Sequence, residues 1–192
     1  MFRKTAFAAA VLSFLSLPVL AAPFQIDPNH TFVDFRIRHL ISGVHGSFDR
    51  FEGQFELDSK TETVSNIRFT IWTDSINTRN SKRDSHLKSA DFFEVEKYPT
   101  MTFVGTSTEQ VDGNVLTIQG DLTMHGVTRP VSLTALYNGV TTVNGKQIAS
   151  FAATTVLDRK AFGINWNRAL DNGGVILGDD VLIEVSVEAV NG

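Results

Sequence analysis

Apolar and polar residues alternate with a period of two along most of this chain, the pattern of a strand with one buried face. In residues 33–39, Val33, Phe35, Ile37 and His39 share one face, and Asp34, Arg36 and Arg38 share the other. Phe51, Gly53, Phe55 and Leu57 alternate with Arg50, Glu52, Gln54 and Glu56, and Ile67, Phe69 and Ile71 with Arg68 and Thr70. Leu116, Ile118, Gly120, Leu122 and Met124 oppose Thr117, Gln119, Asp121 and Thr123. Near the C-terminus Val181, Ile183, Val185, Val187 and Ala189 oppose Glu184, Ser186 and Glu188. Weaker runs at 101–107, 129–137 and 148–157 bring the expected strands to eight. Turn chemistry at Asp112-Gly113-Asn114, Asn138-Gly139 and Asn144-Gly145 joins several of them. Only residues 83–98 break the series. There Asp84, Ser85, Asp91 and Glu94 with Leu87, Phe92 and Phe93 predict a short helical insertion between the third and fourth strands, stopped by Pro99.

Eight sequential antiparallel strands with one apolar face form either a sandwich or a closed barrel. Closure removes the exposed edges that invite aggregation, and an eight-stranded barrel encloses side chains or one small ligand. Small inward residues, Gly53, Gly105, Gly120 and Ala153, fit a cavity and equally fit bends around a filled core. An outer-membrane barrel would carry apolar residues outside. Here Arg36, Arg38, Glu52, Glu184 and Glu188 lie opposite the aromatics, which suits water outside and an apolar interior.

The N-terminus changes the compartment. Arg3 and Lys4 precede an apolar stretch over 6–20 that ends in Val19-Leu20-Ala21-Ala22. These are the parts of a secretory signal peptide, with cleavage expected after Ala21. The stretch contains Pro18 and is short for a bilayer span of about 20 residues. Residues 1–21 are therefore read as a leader and 22–192 as one domain. Loss of Arg3 and Lys4 takes the formal charge from −4 to −6. An acidic, evenly mixed surface argues against nucleic acid and against anionic membranes as partners. The chain has no cysteine, which removes thiol catalysis, thiolate metal sites and an N-terminal lipid anchor.

Candidate chemistry is sparse. His30, His39, His45, His86 and His125 show neither H-x-H nor H-E-x-x-H spacing. His39 continues an inward face, where a lone histidine is more often a bonded core or rim residue than a ligand. No G-x-S-x-G is present, and Asp179 and Asp180 point to opposite faces of a strand. Between Ser75 and Ser89, Arg79, Lys82, Arg83, His86 and Lys88 gather in an otherwise acidic chain. They form either a solvated loop offset by Asp74 and Asp84 or a rim for an anionic head group.

The order of motifs resembles the YceI-like polyisoprenoid-binding family over nearly the whole mature chain. The matching pieces include Ile26-Asp27-Pro28-Asn29-His30, the alternation ending in His39-Leu40, Asp74-Ser75-Ile76-Asn77-Thr78 and Arg83-Asp84-x-His86-Leu87-Lys88-Ser89-x-Asp91-Phe92-Phe93. Tyr98-Pro99-Thr100-Met101-Thr102-Phe103, Gly120-Asp121-Leu122-Thr123-Met124-His125-Gly126-Val127-Thr128-Arg129-Pro130, Arg159-x-x-Phe162-Gly163 and Gly178-Asp179-Asp180-Val181 follow. The resemblance implies an all-β, eight-stranded antiparallel lipocalin-like barrel, periplasmic, that binds a polyprenyl chain or quinone and is not an enzyme. The Gly-x-Trp signature of true lipocalins is absent near the first strand.

Inward parity and matched position together nominate Phe35, Ile37, Phe55, Phe69, Ile71, Phe103, Leu122, Phe151, Ile183 and Val185 as the apolar lining. His39, Arg83, His86 and Arg159 are the head-group candidates. Each methylene moved from water into such a tunnel contributes about 0.8 kcal/mol. About ten would give on the order of 8 kcal/mol before ordering costs are subtracted. The expected partner is an isoprenoid-type or fatty lipid, with no cofactor, no metal, no nucleic acid and no stable membrane insertion. A homodimer stays open, and the alternative function is a histidine-based metal protein or enzyme on the same barrel.

Overall fold

The computed structural model describes residues 22–58, 60–170 and 174–191. The expected leader, residues 1–21, and its boundary after Ala21 lie outside them. Eleven strands and one α-helix make up the described chain: β1 (Ala22–Ile26), β2 (Phe32–His39), β3 (Ser42–Phe48), β4 (Phe51–Asp58), β5 (Thr63–Trp72), β6 (Ile76–Asn77), α1 (Ser81–Lys88), β7 (Thr100–Asp112), β8 (Val115–Met124), β9 (Val127–Val143), β10 (Lys146–Asp158) and β11 (Leu177–Asn191).

The first six strands are three kinked staves. β1 and β2 both pair with β11, through Gln25↔Val190 and Phe35↔Ile183, and are separated by a break at residues 27–31. Pro28 cannot donate to a ladder. The Asp27 carboxylate accepts from the Asn29 backbone N–H at 2.9 Å and fixes the bend. β3 and β4 pair with β2 and β1 in turn, and β5 and β6 pair with β4 and β3. One 3₁₀ turn, Thr73–Ser75, interrupts the last pair. Counted as staves, the chain is an eight-stranded antiparallel meander in which each stave neighbours the next and β11 closes on the first. The helical insertion falls between the third and fourth staves, as the sequence predicts.

Local chemistry shapes the wall. In β5, Asn66 at φ 52° bulges the strand, and its amide donates to Glu56 at 2.8 Å where the ladder with β4 shifts. His125 and Gly126 make the two-residue β8–β9 turn with φ of 52° and 76°, the left-handed pair that such a hairpin requires.

The inward glycines are seats for aromatic and aliphatic side chains. A Cβ on Gly46 would lie 2.4 Å from the Phe35 ring, one on Gly53 2.5 Å from Phe69, and one on Gly120 2.3 Å from Phe103. Ile67 covers Gly105 in the same way. These glycines therefore open no space of their own, because a side chain of a neighbouring strand fills each gap.

Packing differs between the two ends. At the end formed by the turns at 58–63, 113–114 and 144–145, Phe24 stacks on Phe55 at 5.4 Å and Phe55 meets Phe151 edge-on at 5.3 Å. Leu57, Val64, Leu116, Ala135, Ala149 and Ala189 complete this solid floor. At the opposite end Phe48, Ile76, Phe92, Met101, Met124, Phe162 and Ile164 form a second cluster under residues 73–99 and 159–170. α1 buries none of its own residues and takes its N-cap from Asn80, whose side chain accepts from the Arg83 N–H at 3.0 Å.

Candidate functional site

Between floor and roof the interior is hollow. The clue is in the inward residues: Phe35, Ile37, Phe69, Phe103, Leu122, Ile183 and Val185 face the axis yet stay only partly buried, because empty space lies before them. The space is a cavity of ≈ 400 Å³, within the usual ligand-pocket range of about 300–1,000 Å³. All ten residues nominated as apolar lining border it, with Phe55 and Phe151 at its floor. His39, Arg83, His86 and Arg159 border it too, at the roofed end. That end is the mouth, where α1, the β2–β3 turn and residues 159–170 and 174–176 meet.

The four polar residues are not equivalent. Arg159 is 4% exposed. Its Nε donates to the Gly178 carbonyl at 2.8 Å, its Nη1 to the Ile164 and Trp166 carbonyls at 2.7 and 2.9 Å, and its Nη2 to Asp179 at 3.4 Å. Burial pulls its pKa below the ordinary value, and Asp179 and Asp158 oppose that pull. This guanidinium is a bracket tying the 163–166 segment to β11, a geometry that does not suit the head-group role expected for it.

Arg83 is half committed: its Nε and Nη2 donate to the Thr78 hydroxyl and carbonyl at 2.7 and 2.8 Å. Thr78 is itself buried and donates through its N–H and its hydroxyl to Asp84. His86 Nε2 and an Asp91 carboxylate oxygen are hydrogen-bonded at 2.8 Å. Its ring stands edge-on to Phe92 and Trp166 at 5.0 and 5.1 Å, and those two rings are 5.1 Å apart. His39, at the last rung of β2, has no hydrogen bond to its ring among the described residues. Of the cationic loop, Arg83 and His86 face the cavity, whereas Arg79, Lys82 and Lys88 do not border it.

Sequence reasoning missed Trp166, Leu87, Phe92, Phe93, Ile176 and Leu177, which roof the cavity. Trp166 and Ile176 sit in an irregular segment without periodicity, so no strand or helix pattern could have assigned them a face. Leu87, Phe92 and Phe93 stood out as the apolar residues of a polar insertion, which was the available signal. For the metal alternative, the described residues hold one group with ligand atoms within 4.8 Å of one another, Asp27, His30 and Glu188. Its His30 Nδ1 already bonds Asp27 at 2.7 Å, and none of the three borders the cavity.

The chain is similar to known proteins in sequence and in fold. The chain matches the YceI-like domain over residues 24–189. A UPF0312 protein of Staphylococcus aureus strain USA300 is 39% identical over 168 residues, 86% of this chain and 95% of that relative. Among solved structures, the YCEI protein of Campylobacter jejuni is 31% identical, with a TM-score of 0.71 over 81% of this chain and 90% of that one. BcnA of Burkholderia cenocepacia shares the fold at 21% identity, with a TM-score of 0.72 over 85% and 98% of the two chains. A polyisoprenoid binding domain from Saccharophagus degradans does so at 13% identity, with a TM-score of 0.63 over 90% and 99%. With its matched domain spanning almost every described residue, and a barrel with a hollow apolar axis beneath it, this chain belongs to the YceI-like family.

Proposed function

We propose that this protein is a periplasmic, non-catalytic carrier that holds one long apolar lipid of isoprenoid type, a polyprenyl chain or a quinone, along the barrel axis. The observation that carries the reading is the apolar cavity closed at one end by Phe24, Phe55 and Phe151 and ringed at the other by His39, Arg83, His86 and Trp166. A tail inserted toward that floor leaves its polar end at the mouth. The polyisoprenoid binding domain of Saccharophagus degradans, built on the same fold, lends the reading its ligand class. Tail burial at about 0.8 kcal/mol per methylene supplies the affinity and discriminates weakly between head groups.

Trp166 makes the reading testable. It stands in the cavity wall, whereas Trp72, under the Arg50 guanidinium at 5.0 Å, is the only other tryptophan and does not border the cavity. In a Trp72→Phe background, titration with a long-tailed quinone is expected to quench Trp166 fluorescence saturably at one equivalent. Linear, unsaturable quenching equal to that of free tryptophan would contradict the proposal.

A further inference from the structure

The tip of the β2–β3 hairpin is built against the ordinary rules for a turn. Ile41 is 103% exposed and Leu40 40% exposed, and Leu40 holds φ at 54°, a left-handed conformation that glycine, asparagine or aspartate adopts more readily. Val175, also 40% exposed, lies beside them, since the Leu40 N–H donates to the Ile176 carbonyl at 2.8 Å. His39, Ile176 and Leu177, which flank this apolar tip, border the cavity. The tip is held rather than loose: Arg38 Nη1 donates to the Leu40 carbonyl at 2.9 Å and the Ser42 hydroxyl to the His39 carbonyl at 3.2 Å.

Charge is divided along the same axis. Around the turns of the closed end stand Glu56, Asp58, Glu62, Glu109 and Asp112 against Lys60 and Lys146. Around the tip, Arg36, Arg38 and Arg168 are exposed and have no carboxylate partner among the described residues. The closed end is thus acidic, and the evenly mixed surface inferred from sequence does not describe it.

We propose that the mouth end docks peripherally on an anionic phospholipid bilayer, with Leu40 and Ile41 entering the interfacial layer and Arg36, Arg38 and Arg168 meeting the lipid phosphates. Apolar tip residues and a cationic collar are the two attractions such a surface offers, and the acidic closed end is repelled from it. Docking brings the cavity mouth to the layer from which a lipid would enter. The inference deepens the lipid-carrier reading, and its test lets the two fail separately.

The purified protein is floated with phosphatidylglycerol-rich vesicles and with phosphatidylcholine vesicles. Flotation with the anionic vesicles is expected, weakened by added salt, with little on the zwitterionic ones. Ile41→Asp, at a fully exposed turn, should keep the circular dichroism spectrum and cut the vesicle-bound fraction by about tenfold. It should leave quenching of Trp166 by a water-soluble short-chain quinone unchanged. Equal flotation of wild type and Ile41→Asp, or no flotation on anionic vesicles, overturns the docking proposal. So does light scattering that shows a wild-type dimer dissociated by Ile41→Asp, because a second copy then covers the tip. Vesicle binding without any quinone quenching upholds docking and overturns the carrier reading instead.

Discussion

Arg159 and His30 show how the same chemistry serves different ends in one barrel. The Arg159 guanidinium is sealed among three carbonyls and Asp179, so removing it strands buried acceptors. Arg159→Met is expected to lower the unfolding free energy by about 3 kcal/mol, read from the denaturant midpoint. Arg159→Lys should recover only part of it, since an ammonium cannot span four acceptors in one plane. His30 lies in solvent, where its hydrogen bond to the Asp27 carboxylate raises its pKa above the ordinary 6.5, and the same bond lowers Asp27 below 3.8. The raised histidine stabilises fully below 6.5, and this fades as pH rises through its folded value. The lowered aspartate stabilises fully above 3.8, and this fades as pH falls through its own. Asp27→Asn should therefore lower Tm more at about pH 5.5 than at about pH 9. It should also lower the His30 NMR titration midpoint, with Glu188 still holding it up in part.

α1 is the element that depends most on polar contacts, because it buries no side chain of its own. Thr78 holds Arg83 and Asp84 at once, so Thr78→Val removes the hydroxyl that bonds both and leaves each with a single backbone bond to residue 78. Amide exchange over residues 81–88 should accelerate by about tenfold while β8–β10 stay protected, as hydrogen-exchange mass spectrometry would show. Unchanged exchange would mean that Leu87, Phe92 and Phe93 alone secure the insertion. The elements legible in the sequence were those with a clean period of two, β2, β4, β5, β8 and β11. β3 was not legible, because Gly46 stands where an apolar residue would mark the inward face, and Phe35 supplies the missing bulk from the next strand. β1 is five residues with Pro23 inside, too short to show a period. The lining was legible because inward parity and matched position together assign it. The roof was not, because Trp166 and Ile176 take their positions from the Arg159 bracket and the contacts of β11, which no local pattern encodes.

At the scale of the whole molecule, the barrel divides into a solid floor, a hollow middle and a polar mouth, and the hollow is the part that folding alone does not require. Ile183 faces it from β11 between Phe35 and Thr155. Ile183→Trp should fit with a stability cost of about 1–3 kcal/mol and reduce bound lipid several-fold, whereas a merely structural void would change stability alone. The central claim is met most directly by extracting the protein, purified without detergent from its own source, into organic solvent for mass spectrometry. The expected result is an isoprenoid-type lipid, near one per barrel in the wild type and depleted in Ile183→Trp. A wild-type extract empty of lipid, from protein that also takes up no added quinone, would contradict the account.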